Sequence, residues 1–261
     1  MRIALCLYSA TGNTRYLASE FADALAGQGN EVTVVEMFPE GEAEPFDPNA
    51  WDRVGFAFPV MVFGLPYAVD KFLGRMKKRE RKGDAFALLT CGGMAARTDA
   101  ILGARLAEKG LRLGIAKEIV CEDSFIPFRK KLAYLNKVGS PGADEVRKAR
   151  EFAFPAGAPL QNRWRGRFGP LRLLFNFAGR MTKPQNVAKM LGPRHLEVGA
   201  CSRCGRCARD CPTGAVRMGG AGLPEVSVSA CVGCCACFNI CPTSAWRLDR
   251  YETELFYRFE R

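Results

Sequence analysis

From Arg2 to about Cys121 the chain alternates short apolar runs with stretches of helical spacing. Ile3 to Tyr8, Glu31 to Glu36, Val54 to Phe58, Ala85 to Thr90 and Gly114 to Cys121 read as buried strands. Thr14 to Ala26, Pro66 to Met76 and Ala95 to Lys109 read as helices, with Leu17, Phe21 and Leu25 on one face of the first. Strands alternating with helices predict an α/β fold, a parallel sheet covered on both faces. Ligands of such sheets sit outside the carboxyl ends of the strands, at the switch point.

Three loops fall at those strand ends. Ser9-Ala10-Thr11-Gly12-Asn13-Thr14 joins the first strand to the first helix. Its small residues let backbone N–H groups and the helix N-terminus surround an anion, with Ser9, Thr11 and Thr14 adding hydroxyls. Pro59-Val60-Met61-Val62-Phe63-Gly64-Leu65-Pro66 is apolar and bracketed by prolines, which suits a wall against a flat ring. In Thr90-Cys91-Gly92-Gly93-Met94 the paired glycines permit a close backbone approach. Taken singly, each loop also reads as an ordinary cap, core segment or turn. Three at successive strand ends of one sheet point to a ligand.

With the loop Tyr8 to Thr14, residues 1–150 resemble a flavodoxin. The resemblance implies a flavodoxin-like five-stranded parallel sheet with helices on both faces. It also implies FMN, with its phosphate in the Ser9–Thr14 loop and its ring between the Pro59–Gly64 and Thr90–Gly93 loops. Met61 and Phe63 take the second-loop positions. Cys91-Gly92-Gly93 stands where many flavodoxins carry an aromatic residue, so one face of the ring is expected to be more open. Unlike typical flavodoxins, this part of the chain is not acidic.

Composition changes the picture in the second half. The chain holds one histidine, His195, so neither a Ser-His centre nor a multi-histidine zinc site is expected. His195 itself reads as a surface or interface residue. Of twelve cysteines, nine lie between Cys201 and Cys241. No export signal precedes them, and clustered cysteines in a reducing compartment more often bind metal than form disulfides. Cys201, Cys204, Cys207 and Cys211 stand as C-x2-C-x2-C-x3-C before Pro212, and Cys231, Cys234, Cys237 and Cys241 repeat the spacing before Pro242. Paired C-x2-C motifs also hold zinc, but two complete repeats with following prolines favour iron–sulfur clusters.

This arrangement is similar to that of bacterial ferredoxins with two [4Fe–4S] clusters. By that resemblance Cys201, Cys204, Cys207 and Cys241 bind one cluster, and Cys231, Cys234, Cys237 and Cys211 the other, in a small α+β two-cluster ferredoxin domain. Cys235 falls outside the ligand spacing. Cys6, Cys91 and Cys121 read as small core hydrophobes, although Cys91 would lie near a bound flavin.

The net charge of +11 is uneven. Residues 1–150 hold 22 Lys/Arg against 19 Asp/Glu, and residues 151–261 hold 16 against 8. Arg203, Arg206 and Arg209 interleave with the first cysteine run, where they would raise a cluster's potential and steer acidic redox proteins such as ferredoxin or flavodoxin, or a larger oxidoreductase. A solvated basic surface is the plainer reading. Residues 151–197 read as a basic connector between a flavodoxin-like domain at 1–150 and a ferredoxin domain at 198–250, with a tail at 251–261. Within the connector, 163–180 mixes arginine with aromatic residues; it reads as an interdomain packing segment, a docking face or a peripheral membrane contact. No nucleic-acid module accompanies the charge. No apolar run is long enough to span a membrane, so a cytoplasmic location is expected, with peripheral membrane contact as the variant.

As a whole the chain looks like the flavodoxin–ferredoxin fusions of anaerobic bacteria and archaea. That resemblance implies an electron carrier relaying electrons between low-potential one-electron donors and FMN through two [4Fe–4S] clusters. The alternatives are a flavin-dependent reductase of a small organic substrate, and an accessory subunit whose flavodoxin part only docks a partner. No catalytic residue stands out.

Overall fold

The computed structural model describes residues 1–37, 44–127, 137, 139–160 and 184–251. Five strands, β1 (Arg2–Leu7), β2 (Glu31–Glu36), β3 (Arg53–Pro59), β4 (Gly83–Cys91) and β5 (Leu111–Val120), form one sheet in the order β2-β1-β3-β4-β5. Every neighbouring pair is parallel. This is the flavodoxin-like order, whose switch point lies between β1 and β3. Helices α1 (Asn13–Gly27), α2 (Tyr67–Arg75) and α3 (Thr98–Glu108) lie in crossovers between strands, and α4 (Ala143–Arg150), after the last strand, packs on α1.

Because each strand alternates its side chains between two covered faces, the central strands are apolar throughout. Ile3, Leu5 and Leu7 of β1 pack with Leu17, Phe21 and Leu25 of α1. Cys6 faces the other layer with Phe56, Phe58, Val69 and Leu102. Each of these buried Leu and Phe side chains contributes about 1.5–3 kcal/mol of burial. β2 departs from the expected buried strand: its positions are mostly exposed and Val34 is 43% accessible. It is the sheet edge and has a strand on one side only.

β4 and β5 begin earlier than the apolar pattern indicates. Arg112 and Asp84 pair across the two strands at 2.7 Å, carrying the ladder beyond the apolar run. α3 starts three residues late, because Ala96 holds a positive φ of 49° that no helix accepts. α4, from a stretch with no assigned element, lies on α1 and pairs Arg150 with Glu20 at 2.6 Å. Phe154 and Leu160, within the expected connector, are buried in the same layer.

The C-terminal part is small. α5 (Pro184–Leu191) leads into β6 (Arg194–Leu196), α6 (Arg206–Arg209), the hairpin β7 (Val216–Met218) and β8 (Pro224–Val226), α7 (Ala236–Asn239) and β9 (Trp246–Leu248). β6 pairs antiparallel with β9, and β7 with β8. Its core holds Leu191, Phe238, Trp246 and Leu248, and also Ile126 from the segment after β5. A contributor from the first part of the chain ties the two parts together, as does the bond from Asn239 Nδ2 to the Ser124 carbonyl at 2.9 Å. No helix among the described residues is long and apolar enough to cross a membrane. The 163–180 segment and nearly all of the 251–261 tail lie outside the described residues.

Candidate functional site

The first loop leaves β1 and turns at Gly12, whose φ of 105° favours glycine. The Ser9 hydroxyl accepts hydrogen bonds from the Gly12 and Arg15 backbone N–H groups, both at 3.2 Å, holding the turn closed. α1 then begins at Asn13; its N-cap, Gly12, has no side chain to offer, and the Ser9 hydroxyl takes the Arg15 N–H of the first turn instead. Two side chains fasten this loop to its neighbours. Thr14 and Thr90 share a buried hydroxyl–hydroxyl bond of 2.8 Å, and Asn13 Nδ2 donates to the Glu122 carbonyl at 3.3 Å.

The second loop is a two-residue turn. Met61 and Gly64 exchange both backbone bonds at 3.0 and 3.1 Å, and Val62 and Phe63 sit at its tip with φ of 48° and 60°. Two positive φ values make it the mirror-type turn that glycine and asparagine usually occupy. A β-branched residue there is strained, and such strain concentrates at binding sites. The third loop follows β4. A Cβ on Gly92 would lie 2.5 Å from Cβ and Cγ of Asp123, so only glycine permits that approach.

All three loops line one cleft of about 460 Å³ at the carboxyl ends of the strands. Ala10, Thr11, Asn13 and Thr14 line it from the first loop, Pro59 to Phe63 from the second, and Thr90 to Gly93 from the third. Ser9, Gly12 and Gly64 shape the turns behind that lining. The sequence reading missed a fourth wall, Cys121 to Phe125. It follows β5 directly, so the rule that located the other three loops also applied to it. It also missed Cys234, which reaches the cleft from the C-terminal part.

Cys91 donates toward Glu118 Oε1 at 3.4 Å. Burial first, then the Glu118 carboxylate, pushes its thiol well above the ordinary range. It stays protonated near neutral pH and is a poor proton donor there. Burial likewise pushes the Cys121 thiol up to about 12.

The eight cysteines of the two runs ring two further cavities. Cys201, Cys204 and Cys207 line one together with Cys241. Cys231, Cys234 and Cys237 line the other together with Cys211. Each cavity is thus lined by three spaced cysteines of one run and the fourth of the other, the division that the resemblance to bacterial ferredoxins implies, and Cys235 also borders the second. Backbone N–H groups donate to sulfurs of both quartets, Arg203 to Cys201 and Gly233 to Cys231, both at 3.4 Å, and Ala245 to Cys241 at 3.3 Å. This donor set fits two [4Fe–4S] clusters. Cys235 is buried outside both quartets in the ligand sense, with its thiol directed to the Gly233 carbonyl. His195 pairs with Asp249 at 2.9 Å on the surface.

The family of 4Fe-4S dicluster domains matches residues 184–246. No curated protein sequence matches the chain. Among solved structures, oxidised Flavodoxin 2 from Bacillus cereus is similar at 17% identity, over 58% of this chain and 94% of that one, with a TM-score of 0.43. Two-electron reduced flavodoxin from Megasphaera elsdenii shares 16% identity over 57% and 97%, at 0.39. The NAD(P)H:quinone oxidoreductase from Methanothermobacter marburgensis shares 13% over 57% and 95%, also at 0.39. The chain thus joins an N-terminal flavodoxin-like fold, carried by its strand order, to a C-terminal 4Fe–4S dicluster domain.

Proposed function

We propose that the protein is an electron-transfer iron–sulfur flavoprotein. In this reading it binds FMN in the four-walled cleft and relays electrons between one-electron carriers and that flavin. The observation that carries the proposal is the position of Cys234, which lines both the cavity of the second cysteine quartet and the cleft. When bound, each cluster exchanges one electron at a time and the flavin one or two, which lets the chain convert between the two kinds of traffic.

The chain's own residues divide the remaining work. The Ser9–Thr14 loop offers a phosphate its backbone donors at the start of α1, in a turn that the Ser9 hydroxyl holds closed. Met61, Val62 and Phe63 give a flat ring an apolar wall, fixed by the closed turn beneath them. The Thr14–Thr90 bond holds the phosphate side against the third loop. Phe125, shared between the cleft and the C-terminal core, shields the wall nearest the second quartet from water. The reductase alternative gains no proton donor from Cys91, which lines the cleft but whose thiol burial and the Glu118 carboxylate hold weakly acidic.

A single-turnover experiment tests the relay. Cys204→Ala removes a ligand of the first quartet and is expected to slow flavin reduction by a one-electron donor, on the order of tenfold in rate, or about 1.4 kcal/mol of barrier. Equal flavin reduction rates in the variant and the native protein would overturn the relay.

A further inference from the structure

The two cysteine runs are related by a shift of thirty residues, and their backbones repeat. Positive φ recurs at Arg203 (56°) and Gly233 (71°), at Gly205 (69°) and Cys235 (58°), and at Gly214 (60°) and Ser244 (51°). Each run therefore presents an equivalent face, and the two faces meet different surroundings. Arg203, Arg206 and Arg209 of the first run correspond to Gly233, Ala236 and Asn239 of the second.

In the second run that face is covered by the protein itself. A Cβ on Gly233 would come within 2.9 Å of the Ala188 nitrogen and the Val187 carbonyl carbon of α5. Ala236 is buried, and Asn239 bonds to the Ser124 carbonyl behind the cleft. In the first run the equivalent face is uncovered among the described residues. Arg203, Cys204, Arg206 and Arg209 are all exposed, and Cys204 is the counterpart of Cys234.

The side chains have changed with the surroundings. Arg203 occupies a left-handed conformation in which the second run uses glycine, so an exposed guanidinium stands where the backbone favours no side chain. Arg209 is neutralised by Asp210 at 2.9 Å. Among the described residues no carboxylate forms an ion pair with Arg203 or Arg206. This face is thus positively charged, and it surrounds the exposed cysteine of the first quartet.

We propose that this face docks a small acidic one-electron carrier protein. The carrier presents its redox centre at Cys204 as the flavodoxin-like part presents its cleft at Cys234. The step served is the loss of one electron by the carrier and the gain of one by the first cluster, with no bond made or broken and no proton moved. The inference rests on the relay reading for the electron's onward route. Binding and cluster reduction can nevertheless be read without the flavin.

The test uses anaerobically purified holoprotein and an acidic bacterial-type ferredoxin as the probe. Affinity for the oxidised ferredoxin is measured by calorimetry, and bleaching of the clusters by the reduced ferredoxin in stopped flow. Arg203→Glu/Arg206→Glu is expected to weaken binding and slow bleaching on the order of tenfold or more at low salt, converging on the native protein at high salt. Lys77→Glu/Lys78→Glu makes the same charge change at two exposed residues after α2 and is expected to change either quantity by less than about threefold. Reduction by cationic methyl viologen checks that the clusters of each variant are intact, and Arg203→Gln/Arg206→Gln replaces any reversal variant that fails this check. Equal losses in both charge reversals, no loss in the arginine variant, or no binding of the ferredoxin by the native protein each overturn the proposal. Cluster bleaching without subsequent flavin reduction would leave the docking face standing and overturn the relay.

Discussion

Cys234→Ala is expected to slow flavin reduction through the clusters on the order of a hundredfold, which corresponds to about 2.7 kcal/mol of barrier. The expectation follows from the double position of this side chain. It is one of the five cysteines around the second cavity and the only cysteine of either quartet in the cleft lining. Removing it takes away a ligand and opens the wall through which the two sites touch. The first quartet has no residue in that lining, so its cluster offers no equivalent bypass. The effect should therefore exceed that of Cys204→Ala. Stopped-flow absorbance at a flavin wavelength and at a cluster wavelength checks it, with Cys234→Ser as a milder companion. A Cys234→Ala protein that keeps its flavin and reduces it at the native rate would show that electrons do not cross this wall.

The second large effect concerns stability. Phe86 is fully buried between Phe21, edge-on at 5.7 Å, and Phe154, edge-on at 5.1 Å. Its ring lies over Gly55 of β3, so close that a Cβ there would be 2.2 Å from Cε2. Glycine on a central strand is costly, and here it makes room for a ring that joins α1, the sheet and the segment after α4. Phe86→Ala is expected to cost about 3–5 kcal/mol, the range for an aromatic truncated in a packed core. Anaerobic chemical unfolding followed by circular dichroism measures it. A loss below about 1 kcal/mol would mean that the neighbouring rings collapse into the space.

Much of this was legible in the sequence, for physical reasons that particular residues illustrate. β1 and β3 are buried on both faces, so their apolar runs are continuous and their ends sharp. The three loops were found because a parallel sheet places its ligand sites at one end. The crossed division of cysteines came from the resemblance to two-cluster bacterial ferredoxins, which the repeated C-x2-C-x2-C-x3-C spacing before proline made recognisable. The rest depends on contacts that local patterns do not encode. Glu122, Asp123 and Ser124 drew no reading although they follow a strand end, and what marks them as a cleft wall is their contacts with Gly92 and Asn13. Cys234 meets the cleft from more than a hundred residues away. The exposed edge position of β2 is a property of strand order, which its own alternation does not reveal.

The relation between the parts gives the fold its functional sense. Ile126 leaves β5 past the cleft and enters the C-terminal core, beside Phe238. The same short segment thus lines the cleft and anchors the dicluster domain. Cys234 is the residue common to the linings of the cleft and of the second quartet's cavity.

The central claim is that this cleft holds FMN beside the second quartet, and flavin content tests it most directly. Acid release and chromatography from anaerobically purified protein should give about one FMN per chain alongside about eight iron atoms. A chain with its full iron that carries no flavin, and takes up none from excess FMN, would contradict the account and leave the flavodoxin-like part as a docking module.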